Sequence, residues 1–144
     1  MIVLNDIWLI NYLKPFKELF KDREILVSNL FLGGYSLNFP QKQFIRELEE
    51  NGKIGLFETD LGFYKLIEES RDKGIIGACN AASIYYAKMN DLPIITEHDL
   101  IISICELNNV IVYTPIEALK LLKVGDDKIK FIERIINSDE IRNI

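Results

Sequence analysis

The residues best equipped for chemistry in this sequence are a few carboxylates, one histidine and two thiols. Several of them stand where short apolar runs end. Ile2–Asn5 stops at Asp6, and Leu92-Pro93-Ile94-Ile95-Thr96 gives way to Glu97-His98-Asp99. With both runs as parallel strands, Asp6 and the 97–99 group open onto one sheet edge, where open α/β sheets bind ligands. Each residue also has a structural reading. Asp6 and Asn80 are of the type favoured at helix N-caps, and Thr96-x-x-Asp99 has the form of a capping box. Glu47 stands beside Glu49 and Glu50, as on a solvated helix face. His98 is the only histidine, and a lone histidine is more often a surface or capping residue than a ligand. Trp8, Tyr85 and Tyr86 are of the type that stacks on nucleobases, although aromatics on apolar helices usually belong to the core.

Other chemistries find less support. Cys79 and Cys105 sit among apolar neighbours without CxxC spacing, the pattern of buried free thiols in a reducing compartment. No GxGxxG or GxxxxGK(S/T) follows a strand, so the usual phosphate-cradling loops are missing. One histidine and no GxSxG leave a nucleophilic triad little to work with. Clustered Cys and His ligands for zinc are absent.

The elements that must position these residues alternate from end to end. Strands are expected at Ile2–Asn5, Glu24–Ser28 with a possible continuation through Leu30–Leu32, Ile54–Phe57, Leu92–Thr96 and Val110–Tyr113. Between them, helical spacing runs through Ile7, Ile10, Leu13 and Phe16–Phe20, with Pro15 kinking or breaking the helix. Gly33–Ser36 reads as a turn, and the stretch to Pro40 is irregular. Pro40 opens a helix carrying Phe44, Ile45 and Leu48, closed by Asn51-Gly52. A further helix starts near Thr59 and places Phe63, Leu66 and Ile67 on one face. Gly74–Gly77 interrupts the pattern before the helix of Ala81 to Lys88. Leu100–Leu107 forms the next helix, Thr114-Pro115-Ile116-Glu117 opens another with a capping box, and Asp126-Asp127 starts the last. Such alternation predicts an α/β fold, a three-layer α/β/α sandwich around a mainly parallel sheet. No repeat or linker divides residues 1–144, so one domain is expected.

In this order the motifs resemble those of the PIN-domain ribonucleases. The resemblance is carried by Val3-Leu4-Asn5-Asp6, Asn80-Ala81-Ala82-Ser83-Ile84-Tyr85-Tyr86-Ala87-Lys88, Leu92 to Leu100, and Asn109-Val110-Ile111-Val112. It is strongest from Asn80 to Val112 and weakest from Asn29 to Phe39. The family uses converging acids to hold Mg²⁺ or Mn²⁺, which stabilises charge on a scissile phosphate and lowers the pKa of a bound water. Carried over, Asp6 is the first acid and Glu47 the second; an alternative alignment puts Gly34 there, with no acid. Asn80 stands where the family has Asp, and His98 occupies the fourth position, with Asp99 one residue on. The resemblance therefore implies Asp6, Glu47, Asn80 and Asp99 as catalytic, and Asp6, Glu47, Asp99 and His98 as metal ligands. Neutral ligands weaken a Mg²⁺ site, and a His ligand tilts it toward softer ions.

Two functions follow from the resemblance. One is a divalent-metal-dependent endoribonuclease, toxin-like and weakened. The other is a catalytically degenerate PIN-like domain that binds RNA or a protein partner without cleaving. RNA, an antitoxin-like protein and a second copy of the chain are the partners implied. The 144 residues carry 49% hydrophobic and 27% charged side chains, the balance of a packed domain. Net charge is −5, so nucleic-acid binding would need a local surface rather than a global basic field. Lys14, Lys17, Lys21 and Arg23 form the one early basic cluster and read first as a solvated helix face. The N-terminus lacks the basic start of a secretory signal, and no window reaches the ~18 apolar residues of a membrane span. A cytoplasmic location with no membrane association is expected.

Overall fold

Short runs of branched apolar residues form β1 (Ile2–Leu4), β2 (Ile25–Ser28), β3 (Gly55–Phe57), β4 (Ile94–Ile95) and β5 (Val112–Tyr113). The computed structural model describes residues 1–34, 37–58, 60–70 and 73–138. The strands align in the order β3-β2-β1-β4-β5, and every pairing is parallel. The sheet is thus fully parallel where a mainly parallel one was expected.

Alternation along each strand divides the core in two, because successive side chains point to opposite faces. Ile2, Leu4, Ile25, Val27 and Ile95 join one apolar cluster; Val3, Leu26, Phe57 and Ile94 join the other. The first face is covered by α1 (Leu9–Tyr12), α3 (Phe39–Glu50), α8 (Pro115–Leu121) and α9 (Asp126–Ile136). The second is covered by α6 (Ala78–Met89) and α7 (Asp99–Leu107). These are the three expected layers. Each fully buried Leu, Ile or Val contributes ~1.5–3 kcal/mol relative to exposure, so strands of two to four residues hold through their side chains as much as through ladder bonds.

Local signals set most of the boundaries. The Thr114–Glu117 capping box forms as expected, with both bonds at 3.2 Å. A second box, between Asn38 and Gln41, starts α3 with both bonds at 2.9 Å. Asp60 caps α4 (Leu61–Glu69) by accepting from Phe63 N at 2.8 Å. The expected helix start at Thr59 and the turn residues Tyr35 and Ser36 lie outside the described residues. Pro15 does break the first helix: α1 ends at Tyr12, and a 3₁₀ segment, Lys14–Leu19, follows with a kink at Phe16.

Three expectations are corrected. Leu30–Leu32 does not extend β2 but lies in α2 (Leu30–Gly33), because Ser28 Oγ accepts from Leu30 N at 3.2 Å and turns the chain off the ladder. Gly74–Gly77 is not a plain break: α5 (Lys73–Ile76) fills it, and only Gly77, at φ 83°, leaves the helical region. In α4, Ile67 is fully buried against Ala81 and Ala82, whereas Leu66 is 47% exposed.

Candidate functional site

The site begins with the register of two neighbouring strands. Leu4 of β1 pairs with Ile95 of β4, and Asn5 N donates to Ile95 O at 3.1 Å. Asn5 and Asp6, just past β1, and Thr96, just past β4, therefore meet at the carboxyl edge of the sheet. Both are buried, Asp6 at 6% exposure and Thr96 at 0%. Thr96 Oγ1 donates to Asp6 Oδ1 at 2.6 Å, Glu97 N donates to Oδ2 at 2.8 Å, and Asn5 Nδ2 donates to Oδ1 at 3.2 Å. Hydrogen bonds to a charged acceptor each contribute roughly 1.5–3 kcal/mol net, which is how a carboxylate is kept in the protein interior.

This use of Thr96 excludes the expected capping box with Asp99. The hydroxyl gives its proton to Asp6 and accepts from His98 N at 3.2 Å, and His98 is the N-cap of α7. Asp99 is the first residue of that helix and is exposed.

Beside Asp6 lies a cleft of about 530 Å³. Asn5, Asp6, Asn80, Glu97 and His98 form its polar part; Ile7, Trp8, Phe31, Ile101 and Cys79 form the apolar walls. Asn80 enters from the first turn of α6. Because that helix starts at Ala78 with Gly77 as its N-cap, Asn80 is not the cap expected from sequence. Its Nδ2 instead donates to Ile76 O at 2.7 Å. The fold thus brings Asp6, Asn80 and His98 to one cleft.

Glu47 and Asp99 are not among the residues lining it. Helix α3 buries Phe44, Ile45 and Leu48 and turns Glu47 outward, into a separate depression with Lys14, Lys17 and Lys53. Gly34, the alternative second position, lies past α2, where its carbonyl accepts from Lys42 Nζ at 2.8 Å. Among the described residues no group of three His, Cys, Asp or Glu is placed to hold a metal ion. A hard cation such as Mg²⁺ needs a near-octahedral set of oxygens. Such an ion usually keeps several waters and takes one or two carboxylates, and Asp6 and Glu97 are the carboxylates in the described lining of this cleft.

Asn5, Glu97 and Phe31 line the cleft without having been expected there. Asn5 and Glu97 are immediate neighbours of Asp6 and Thr96, so their adjacency was a usable signal. Phe31 had none, since its position depends on the chain leaving β2 as a helix. Burial raises the Cys79 thiol pKa and pushes Cys105 up to about 12, so neither is poised as a thiolate nucleophile.

No protein-family model and no curated protein matches the chain. Among solved structures it is similar to the crystal structure of FitAcB from Neisseria gonorrhoeae. The two are 19% identical, with 80% of this chain and 98% of that one covered and a TM-score of 0.42.

Proposed function

We propose that this chain is a PIN-like domain that binds single-stranded RNA at the Asp6 cleft without cleaving it. The observation that carries the reading is the state of Asp6. Its carboxylate ties the end of β1 to the end of β4 through Thr96 Oγ1 and Glu97 N, while Glu47 and Asp99, which would complete an acidic centre, lie outside the cleft lining. The motif order from Asn80 to Val112 supports the PIN-like assignment, and the aromatic and apolar walls of the cleft suit unstacked bases. A net charge of −5 offers little to duplex phosphates, which favours recognition of a few nucleotides over long electrostatic tracking.

The test is a binding and cleavage assay on one labelled single-stranded RNA, with Mg²⁺, with Mn²⁺ and with EDTA. Binding that is unchanged by EDTA, with the RNA left whole, is the expected result. Metal-dependent cutting that disappears in Asp6→Asn would replace this reading with the nuclease one, in which Glu97 is the second carboxylate of the described cleft lining. A domain that leaves RNA unbound under all three conditions would turn the search to a protein partner.

A further inference from the structure

We infer that the groove between the 3₁₀ segment and α3 is a phosphate track that takes the backbone of the RNA bound at the Asp6 cleft. The inference rests on the RNA-binding reading of that cleft and names the surface that supplies its electrostatics. The groove holds about 600 Å³ and is lined by Lys14, Lys17 and Lys53 beside Phe44 and Leu48. Three cations thus converge on a chain whose net charge is −5. No acid among the described residues forms an ion pair with them. Glu18, one of the two acids of the lining, is instead bonded to Lys128 at 3.1 Å; Glu47 is the other. Lys14 lies over the Phe44 ring, its Nζ 5.3 Å from the centroid, which orders that side chain before a ligand arrives. Arg23 brings its guanidinium beside Gly52, 3.9 Å from where a Cβ would stand, so a fourth cation adjoins Asn51 and Lys53.

The chemistry of the lining favours phosphates over an acidic protein segment. A protein partner binds through apolar anchors seated in pockets, and here Phe44 and Leu48 are only 7% and 5% exposed. A phosphate backbone needs only point charges along a path, which ammonium groups on flexible stems supply. The path leads to the cleft. Trp8 lines the cleft and Lys14 the groove, and the six residues of largely helical chain between them rise roughly 9 Å at 1.5 Å per residue. The solvated helix face expected of Lys14 and Lys17 is joined by Lys53 from beyond the far end of α3, which no run of charge along one helix could bring.

The experiment is a titration of the full chain with one labelled single-stranded RNA at several KCl concentrations. Three phosphate contacts on a single strand give a log–log salt slope of about −2, so affinity should fall roughly twentyfold between about 50 and 200 mM. Lys17→Gln/Lys53→Gln removes two exposed lysines and leaves the core untouched. It should flatten the slope to about −0.7 and reduce the fall to roughly threefold. Lys17→Arg/Lys53→Arg keeps both charges and should keep the slope. Lys65→Gln/Lys120→Gln changes two exposed lysines of α4 and α8 to the same net charge and should also keep it. Glu47→Gln should tighten binding about twofold, because it removes an acid from the lining. A wild-type slope in Lys17→Gln/Lys53→Gln, with the RNA still bound, would overturn the inference and leave the RNA-binding reading intact. Equal flattening in Lys65→Gln/Lys120→Gln would also overturn it, since any exposed lysine would then serve. RNA left unbound at every salt concentration would remove the inference and the RNA-binding reading together. If a polyglutamate peptide then bound the wild-type chain and not Lys17→Gln/Lys53→Gln, the groove would belong to an acidic protein segment instead.

Discussion

At the scale of single residues, Asp6 is held by hydrogen bonds that join the end of β1 to the end of β4. A carboxylate kept only for chemistry is usually surrounded by other acids, and replacing it with its amide relieves repulsion. Here the two oxygens accept from a hydroxyl, a backbone N–H and an amide. Asp6→Asn would turn an NH₂ group toward one of those donors, so it is expected to lower stability by ~1–3 kcal/mol in urea unfolding. A gain in stability would instead mark Asp6 as a functional group held in place against its own repulsion. Thr96→Val should lose a similar amount, since it removes a 2.6 Å bond at a fully buried position. The thiols give a pH test. Burial and the neighbouring Glu106 raise Cys105 from an ordinary value near 9 to about 12. The folded state therefore holds its proton where the unfolded chain releases it. Stability is unaffected below pH 9 and falls by up to ~1.4 kcal/mol per pH unit from there toward pH 12. Cys105→Ala should flatten that alkaline slope in denaturation curves.

At the scale of elements, helix phase and close packing decide the roles. In α3 the buried face of Phe44, Ile45 and Leu48 sends Glu47 to the opposite side, so one helix rotation removes an acid from the site. In α6 the start at Ala78 makes Asn80 a first-turn residue whose amide reaches back to Ile76. Gly55 shows how tightly β3 fits: a Cβ there would lie 2.6 Å from Leu26 Cδ2. Gly55→Ala is expected to cost ~1–3 kcal/mol, because Leu26 must move within a packed layer. Thr114→Ala should cost ~1 kcal/mol by opening the capping box that starts α8. Both are read from melting curves.

At the scale of the whole molecule, the sheet edge and the C-terminal helix matter most. Ile132 of α9 is fully buried in the cluster that also holds Ile10 and Leu4. Ile132→Ala is expected to destabilise the protein by ~2–5 kcal/mol. Lys128→Ala, which removes only an exposed ion pair with Glu18, should leave the melting temperature unchanged. No helix among the described residues is long and apolar enough to cross a membrane. On the reading that the cleft binds RNA without a metal, millimolar Mg²⁺ should not raise the melting temperature, as it would if the folded state bound the ion tightly.

Alternating apolar runs and helical spacings in the sequence determined the α/β class, the approximate place of each strand and the opening of Asp6 and the 97–99 group onto one sheet edge. Periodicity and element order are local properties of the chain, and so these features were legible from it. The Thr114–Glu117 cap was legible for the same reason. Tertiary structure alone decided which side chains share the cleft. Glu47 turns away because of what α3 buries, and Phe31 enters because Ser28 ends β2. Thr96 gives its hydroxyl proton to Asp6 because β1 and β4 are neighbours in register, a contact across 90 residues that no local pattern contains.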